Sequence, residues 1–520
     1  MSTAAVPAPG EEWRKLDKRT LLVTAAVMTG VATGAAVPTA VALSGGMGVG
    51  RALAWVLPAA LLLIGCGTGG DYVRWRRTRY RTGPDRAELH TGLLVVKRRS
   101  LARERIRSVD LTANLLLRVL GLVKVRIGTG EHTGGESTLE LDPVTRAEGE
   151  RLRTELLDRT PSDTAGAHRD GPLAALDPRW IRYAPVSFVA PLLGGAAAGG
   201  VMQVSEWFGV QHEVLNWIGD RFRDTSVLVI ILVLVVAALL AGIVGSLGLW
   251  VEMWWNYRLE REPGGTLRVR RGLFTSRSVS IEERRLRGVE LVEPLGVRLV
   301  GAARVDAVAT GLAQDDDDKH TDLKTLLPVA PRAAAHEVAA QVLRETSSPT
   351  RTAALTPHPP AARGRRLRWA VGSALMPVVV LLILGLLVSD VLLSVAAVCA
   401  VVLLPVAVLL ALDAYRNLGH GLSGGYLIAR SGTVRRTTVA LQRGGVIGWT
   451  VKRSYFQRRA GLLTLTATTA AGEGAYSVHD AAQGEGLAFA AEAVPGLLEP
   501  FLEPFPEPIQ EPFPEPIREK

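Results

Sequence analysis

The stretch that decides the fold is TGLLVVKRRSLARERIRSVDLTANLLLRVLGLVKVRIGTG, Thr91–Gly130. Two later stretches, Arg271–Gly311 and Ser431–Thr469, align with it without a gap over their central part. The shared positions are Gly92, Gly272 and Gly432; nine residues on, Leu101, Ile281 and Leu441; then Ile106, Leu286 and Val446; then Arg118, Arg298 and Arg458; and finally Gly121, Gly301 and Gly461. Self-similarity at this level predicts one structural unit that is present three times.

Each of the three blocks is predicted to form a small β-rich domain. Short alternations of Val, Leu, Ile, Thr and Arg are typical of strands. The leading glycine is expected at a hairpin turn, where a positive φ is useful, and the Arg-x-x-Gly element is expected to open another strand pair. A helix-compatible run then ends each block, at Val144–Leu157, Pro331–Arg344 and Ala481–Leu498. The pattern therefore favours a strongly bent sheet closed by one terminal helix.

A pair of charge-free apolar segments precedes each block. A segment of about 20 residues is long enough to cross a bilayer as a helix. Pairs separated by a short turn predict membrane hairpins, and the six candidate spans are Thr20–Gly50, Ala52–Gly70, Tyr183–Ser205, Thr225–Val251, Trp369–Ser389 and Val391–Leu412.

The distribution of charge predicts the orientation of these hairpins. The chain has 60 Lys and Arg against 50 Asp and Glu, a net charge of +10. Basic residues flank the hairpins at the ends away from their turns, whereas the turn between the third and fourth spans is acidic. By the positive-inside rule, both termini and the three blocks are expected in the cytoplasm of a cell-membrane protein. This accounts for the basic charge without nucleic acid, which is not expected as a partner.

The sequence thus predicts a fold class of six transmembrane helices with three α+β domains. The predicted organisation is an N-terminal segment 1–19, hairpin 20–70, domain 71–160, linker 161–182, hairpin 183–251, domain 252–345, linker 346–368, hairpin 369–412, a degenerate third domain 413–498 and a Pro/Glu-rich tail 499–520 that is expected to be disordered. The tail contains EPFPEPI twice, and proline at this density disfavours helix and sheet.

The arrangement resembles the bacterial pleckstrin-homology-like (PH-like) membrane proteins of the YdbT type. The resemblance is carried by Gly92-Leu93, by Ile106-x-x-Val109, by Leu117-Arg118-x-x-Gly121-Leu122 and by their counterparts in the other blocks. It implies PH-like split sheets with a C-terminal helix, and a smaller one-domain PH-like membrane protein as a partner. It also implies a connection with envelope stress.

Basic residues on the predicted strands are candidate contacts for anionic lipid headgroups, because guanidinium groups suit phosphate. The alternative is a solvated strand face beside the bilayer. The candidates are Arg98, Arg99, Arg103, Arg105, Arg284 and Arg285. The repeated Arg118, Arg298 and Arg458 could form a ligand site, although a role in bracing the sheet is favoured.

No motif for catalysis, a metal or a cofactor is present. The histidines lack ligand spacing, Asp315–Asp318 lacks the glycine and glutamate of a calcium loop, and there is no phosphate-binding or nucleophile motif. We therefore predict a non-catalytic scaffold or sensor that binds lipid or protein, with envelope maintenance as its setting. A transporter of a lipid or small molecule is the alternative, which the absence of ionisable residues inside the spans disfavours only for ion coupling.

Overall fold

A computed structural model describes residues 13–92, 96–106, 108–128, 138–157, 171–187, 189–221, 223, 225–310 and 323–498. Asp315–Asp318 and the tail 499–520 lie outside the described residues. The chain divides into two compact units. Unit 1 comprises Met1–Ala353, Arg430–Leu441 and Ala470–Gly474, and unit 2 comprises Ala354–Ala429, Gln442–Thr469 and Ala475–Lys520.

The helices alternate between long apolar ones and short ones that belong to the sheets. They are α1 (Thr20–Met47), α2 (Val49–Arg77), α3 (Leu115–Val119), α4 (Arg146–Leu157), α5 (Val189–Trp207), α6 (Gln211–Arg221), α7 (Val227–Trp254), α8 (Leu295–Leu299), α9 (Arg332–Leu343), α10 (Pro349–Thr352), α11 (Pro360–Leu387), α12 (Asp390–Arg416), α13 (Tyr455–Arg459) and α14 (Gln483–Ala493).

The strands follow the hairpins in groups of six, and two of the groups are preceded by one more strand ahead of the hairpin. They are β1 (Arg14–Lys15), β2 (Arg79–Thr82), β3 (Arg86–Thr91), β4 (Lys97–Ala102), β5 (Ser108–Ala113), β6 (Leu122–Gly128), β7 (Thr138–Thr145), β8 (Gly171–Ala175), β9 (Arg258–Glu262), β10 (Thr266–Arg271), β11 (Ser276–Glu282), β12 (Leu286–Pro294), β13 (Ala302–Ala309), β14 (Thr325–Pro331), β15 (Gly419–Ser423), β16 (Tyr426–Ser431), β17 (Arg435–Gln442), β18 (Val446–Lys452), β19 (Leu462–Thr469) and β20 (Ala475–Ala482).

Five of the described helices, α1, α2, α7, α11 and α12, are long and apolar enough to cross a membrane. Their Leu and Val side chains are largely exposed on the helix surface, as expected where lipid is the surrounding solvent. A sixth candidate is a bent pair, in which a 3-10 segment Pro178–Val186 meets α5 at 68°. The expected straight span from Tyr183 therefore begins later, because Pro185 lacks an amide hydrogen and disfavours helix in the residue before it.

Successive repeats share sheets. We call the first three strands after a hairpin the first half-sheet and the next three the second half-sheet. In unit 1, β7, β6, β5, β11, β10, β9 and β8 are hydrogen-bonded in that order, so the second half-sheet of repeat 1 continues into the first half-sheet of repeat 2. Likewise β14, β13 and β12 continue into β17 of repeat 3. The predicted self-contained sheets are thus joined edge to edge.

The two joints have the same register. We call the β5–β11 pairing joint 1 and the β12–β17 pairing joint 2. Joint 1 pairs Ala113 with Ser276, and joint 2 pairs Glu293 with Arg436. In both, the residue 21 positions after its own leading glycine faces the residue four positions after the next leading glycine. The repeat therefore fixes the connection between domains as well as the domains themselves.

The segments before the hairpins also belong to the sheets. β1 pairs with β2, β8 pairs with β9, and Thr356 forms an isolated bridge with His420. The predicted linkers 161–182 and 346–368 therefore contain β8 and this bridging residue. The two ends of a helical hairpin lie close together. A short segment before the hairpin can therefore pair with the first strand after it.

The repeat motifs take two defined backbone roles. Gly272 and Gly432 form the turns before β11 and β17, and a Cβ there would lie within 2.0 Å of a backbone carbonyl oxygen. The arginine of the Arg-x-x-Gly element does not open a strand, as was expected, but lies in the one-turn helices α3, α8 and α13. The glycine three residues later has φ between 63° and 71° and ends each turn before the next strand begins.

The terminal helices α4, α9 and α14 follow the sheets as predicted, and each begins one or two residues later than expected. In repeat 1, Leu152 and Leu156 on α4 pack with strand residues such as Val125 and Leu141 in one buried core. In unit 2, Phe489 and Ala490 on α14 pack against Leu463 and Leu465. A sheet with one polar face and one face covered by a helix is the resulting layer arrangement.

Candidate functional site

The predicted lipid contacts fall into two environments. Arg98 and Arg99 lie on β4, the outer strand of the four-stranded sheet β1-β2-β3-β4, where Arg98 is exposed and Arg99 half-buried. Arg105 is exposed in a one-turn 3-10 helix. Arg284 lies in the equivalent turn of repeat 2, with 62% of its side chain exposed and its Nε 3.3 Å from Glu282. These four guanidinium groups are on the surface.

The other two predicted contacts, Arg103 and Arg285, donate hydrogen bonds to backbone carbonyls. Arg103 donates to the backbone carbonyl of Glu155 near the end of α4. Arg285 donates to the Glu282 carboxylate at 2.9 Å and to the carbonyl of Ile106 across joint 1 at 3.0 Å. A cation at a helix C-terminus satisfies a carbonyl without an intrahelical partner, which accounts for Arg103. The six arginines that the sequence groups as candidate lipid contacts thus lie in two different environments.

A buried ionic network crosses joint 1. Arg268 on β10 is 3% exposed and donates to Glu150 of α4 at 2.7 Å and to Glu262 of β9 at 3.0 Å. Arg153 of α4 donates to the same Glu262 at 2.7 Å. Burial alone would raise the pKa of Glu262, but its hydrogen bonds with Arg153 and Arg268 outweigh burial and lower the pKa. The terminal helix of repeat 1 is therefore clamped to the first half-sheet of repeat 2.

An acidic residue lies inside the apolar strand at each joint. Asp110 on β5 and Glu290 on β12 both lie 18 residues after their leading glycine, and both are buried. Burial raises the pKa of Asp110 to about 7, against the opposing effects of Arg126 and of the Ser280 backbone amide that donates to it. Burial and the nearby Asp306 also raise the pKa of Glu290. Sequence reasoning missed this pair, although a carboxylate in VDLTA and again in VELVE was a visible signal.

One membrane helix is tied directly to the sheet at joint 1. Glu252, near the end of α7, accepts hydrogen bonds from the backbone amides of Phe274 and Thr275, both at 2.9 Å. The Leu273 amide donates to the Glu252 carbonyl, also at 2.9 Å. From repeat 1, Arg118 Nη1 donates to the Leu273 carbonyl at 2.6 Å. The turn after β10 thus connects a span, its own half-sheet and the preceding repeat.

The three repeated arginines have different surroundings. Arg118 crosses joint 1 as described, Arg298 of α8 points into the protein with its Nη1 buried, and Arg458 of α13 is exposed. The structure brings Arg118 and the turn of the next repeat together.

Unit 2 contains a buried polar cluster that the scattered histidines did not suggest. His358 Nε2 lies 3.0 Å from His420 Nδ1, and His358 Nδ1 lies 3.2 Å from the carbonyl of Asp480. The Asp480 carboxylate is fully buried and accepts hydrogen bonds from Arg365 at 2.6 Å and Gln457 at 2.9 Å. Arg365 lies in the first turns of α11, so the cluster joins a membrane helix to strands β15 and β20.

The buried surroundings lower the pKa of both histidines, which favours their neutral forms. Burial, reinforced by the charge of His358, lowers the pKa of His420 to about 4. Burial lowers the pKa of His358 as well. The His420 ring also packs edge-on against Phe489, with ring centroids 4.7 Å apart. Two partners from segments 62 residues apart cannot be found by local spacing, which is why sequence analysis missed them.

Throughout the described ranges, no group of three or more His, Cys, Asp or Glu side chains converges as a metal site. What the described geometry offers is attachment: strand edges that pair in a fixed register, ionic clamps between repeats, and contacts between spans and sheets. These contacts join modules that resemble one another in sequence and in strand order. The class defined by this fold is a membrane protein with repeated β-rich domains.

Comparison with known proteins gives the family. Residues 34–160, 214–346 and 378–490 match the family model described as bacterial PH domain, which is more than half of the chain. The chain therefore belongs to the bacterial PH domain family. It is also similar to the transmembrane protein YdbT of Bacillus subtilis (strain 168), with 22% identity over 437 residues that cover 81% of this chain and 83% of YdbT. No solved structure matches the chain.

Proposed function

We propose that the protein is a non-catalytic scaffold of the cytoplasmic membrane. In this proposal, six spans arranged as three hairpins hold three PH-like domains on the cytoplasmic side, where they bind anionic lipid headgroups and protein partners in envelope maintenance. The positive-inside distribution of Lys and Arg supports this orientation. The resemblance to YdbT supports the family setting.

The observation that carries the proposal is the short distance along the chain between each hairpin and its sheet. α2 ends at Arg77 and β2 begins at Arg79; α12 ends at Arg416 and β15 begins at Gly419. Because so few residues separate them, we propose that the first half-sheet lies close to the bilayer surface. Basic residues held there gain about 1 kcal/mol each from anionic lipid.

Lys97 and Arg98 on β4 are the best-placed headgroup contacts. Both side chains are exposed, and β4 belongs to the sheet that follows α2 directly. The last turn of α2 adds three further arginines, Arg74, Arg76 and Arg77. We propose that this basic surface of repeat 1 binds phosphate-bearing headgroups, with Arg99, Arg105 and Arg284 as further contacts.

The test is lipid retention by the full chain. The purified protein, in mild detergent with phosphatidylglycerol and phosphatidylcholine, is analysed by native mass spectrometry for bound lipid. The Lys97→Gln/Arg98→Gln variant should retain roughly tenfold less phosphatidylglycerol, because two favourable charges are lost. Arg51→Gln, at the opposite end of the first hairpin, is the control and should retain as much as the wild type.

Equal retention by both variants would refute the headgroup contacts of β4. Reconstituted into proteoliposomes, the same protein is expected to take up no substrate. Reproducible uptake of a lipid or small molecule would refute the scaffold proposal in favour of a transporter.

A further inference from the structure

The strand β18 is the counterpart of the two strands that form joints. β5 pairs with β11, and β12 pairs with β17. In each case the pairing uses the strand edge that faces away from the other two strands of the same half-sheet. β18 holds the same place in repeat 3, since it is the first strand of the sheet β18-β19-β20. Among the described residues its only ladder partner is β19. Its other edge corresponds to the joint edges of β5 and β12, and no described strand pairs with it.

A glycine that joint 2 requires is present in β18. Gly288 on β12 faces the incoming strand so closely that a Cβ would lie 1.9 Å from the Ala440 carbonyl oxygen. Gly448 occupies the same position of β18, 16 residues after its leading glycine, and follows the same bulge in the ladder. Nothing lies within 4 Å of a Cβ built on Gly448. Within the described chain, packing does not account for this glycine, whereas an incoming strand would.

Large apolar side chains along this edge are exposed. Ile447 and Val451 are 62% and 39% exposed, and Tyr455 and Phe456 of the adjoining α13 are 66% and 63% exposed. Arg458, whose counterpart Arg118 donates across joint 1, is exposed as well. Unpaired apolar edges recruit other strands unless they are protected. Lys452 and Arg453 at the end of β18 provide charge that either repels other strands or selects among them.

The charge of the edge identifies the occupant. Applied to a second copy of this chain, the register of the two joints would place β4 on β18, with Lys97 opposite Lys452. Like charges directly opposite one another destabilise strand pairs. Joint 2 instead pairs unlike charges, Glu293 with Arg436, whose side chains lie 2.7 Å apart. An acidic strand therefore fits β18, and a second copy of this chain does not.

We infer that the open edge of β18 binds the outer strand of a first half-sheet in another PH-like chain, in the register of the two joints and with carboxylates facing Lys452 and Arg453. Both repeats at each internal joint are anchored by their own hairpins, so this geometry is compatible with two chains in one membrane. The inference rests on the proposed scaffold role and gives it a defined partner surface, but it does not depend on the lipid contacts of β4.

The experiment places a photoreactive p-benzoylphenylalanine at Val451 of the full chain, expressed in the source cells. After illumination, the cross-linked peptides are identified by mass spectrometry. The expected adduct joins Val451 to the outer first-half-sheet strand of another PH-like chain, next to an Asp or Glu facing Lys452. The same probe at Glu485, an exposed residue of α14, is the control and should give roughly tenfold less of this adduct.

Two variants separate strand docking from general exposure. Gly448→Val, in the Val451 probe background, should abolish the adduct because its side chain blocks the incoming strand, whereas Gly444→Val should not. Lys452→Glu/Arg453→Glu should reduce the adduct roughly tenfold through charge reversal. The uncharged Gly448→Val change should not alter phosphatidylglycerol retention, so a failure of this inference is distinguishable from a failure of the lipid proposal.

Four outcomes would overturn the inference. Adducts no stronger at Val451 than at Glu485 would show that the charged edge only repels other strands. Adducts to β4 of a second copy would replace the partner by self-association, and adducts to the tail 499–520 would show that the chain covers its own edge. An undiminished adduct in Gly448→Val would exclude pairing in the joint register.

Discussion

Asp110 is a residue whose acid–base chemistry is strongly changed by the fold. Its carboxyl group is buried in β5 at joint 1, and burial raises its pKa to about 7 from an unperturbed value of 3.8. The folded state therefore holds a proton that the unfolded state releases between about pH 4 and pH 7. Under this linkage the free energy of unfolding falls as pH rises through that window.

Asp110→Asn should remove this pH dependence, because the amide is neutral at every pH and can still accept from the Ser280 amide. At pH 8 the variant should be more stable than the wild type by up to about 4 kcal/mol, and at pH 4 the two should be similar. Thermal unfolding in detergent at both pH values measures the difference. Glu104→Gln, at an exposed position, is the control, and a wild-type pH profile in Asp110→Asn would contradict the assignment.

At the scale of elements, the connection between α7 and the turn after β10 links a span to a sheet in unit 1. A carboxylate near a helix C-terminus is unfavourable with respect to the helix dipole. Glu252 is nevertheless placed there, and its two oxygens accept the two amides of the turn. Its position is thus explained by the turn and not by the helix.

Glu252→Gln should loosen this turn, since the amide side chain has one acceptor oxygen and no charge. Hydrogen bonds to charged groups contribute about 1.5–3 kcal/mol, so the amides of Phe274 and Thr275 should exchange with deuterium roughly tenfold faster. Hydrogen exchange followed by mass spectrometry gives the measurement, with the turn after β16 as an internal reference. Unchanged protection at both amides would show that backbone pairing alone holds the turn.

The sequence predicted the elements far better than their partners. Hydropathy and repeat alignment located five of the predicted spans, the turn glycines and the terminal helices, because each is determined locally. The pairing of β5 with β11 and of β12 with β17 depends on which edge the chain leaves uncovered, and no local pattern encodes it. The same holds for His358 and His420, and for Arg103, whose carbonyl partner lies on α4.

At the scale of the whole molecule, the charge distribution predicts sidedness. In a background without Cys66 and Cys399, a single cysteine at Gly46, in the turn region of the first hairpin, should react with a membrane-impermeant maleimide on intact cells. A single cysteine at Gly484, exposed on α14, should react only after lysis. Labelling of both sites in lysed cells is the control, and labelling of the Gly484 site in intact cells would reverse the orientation.

The identical registers of the two joints have a consequence for how such proteins can grow. If the gene lost repeat 2, β5 and β17 could pair in the register that both joints now use. Ala113 would then face Arg436 instead of Ser276. Arrays of different length could thus arise by recombination between repeats without inventing a new interface. Natural variation in the number of repeats would then occur at the boundaries between repeats and not within a repeat.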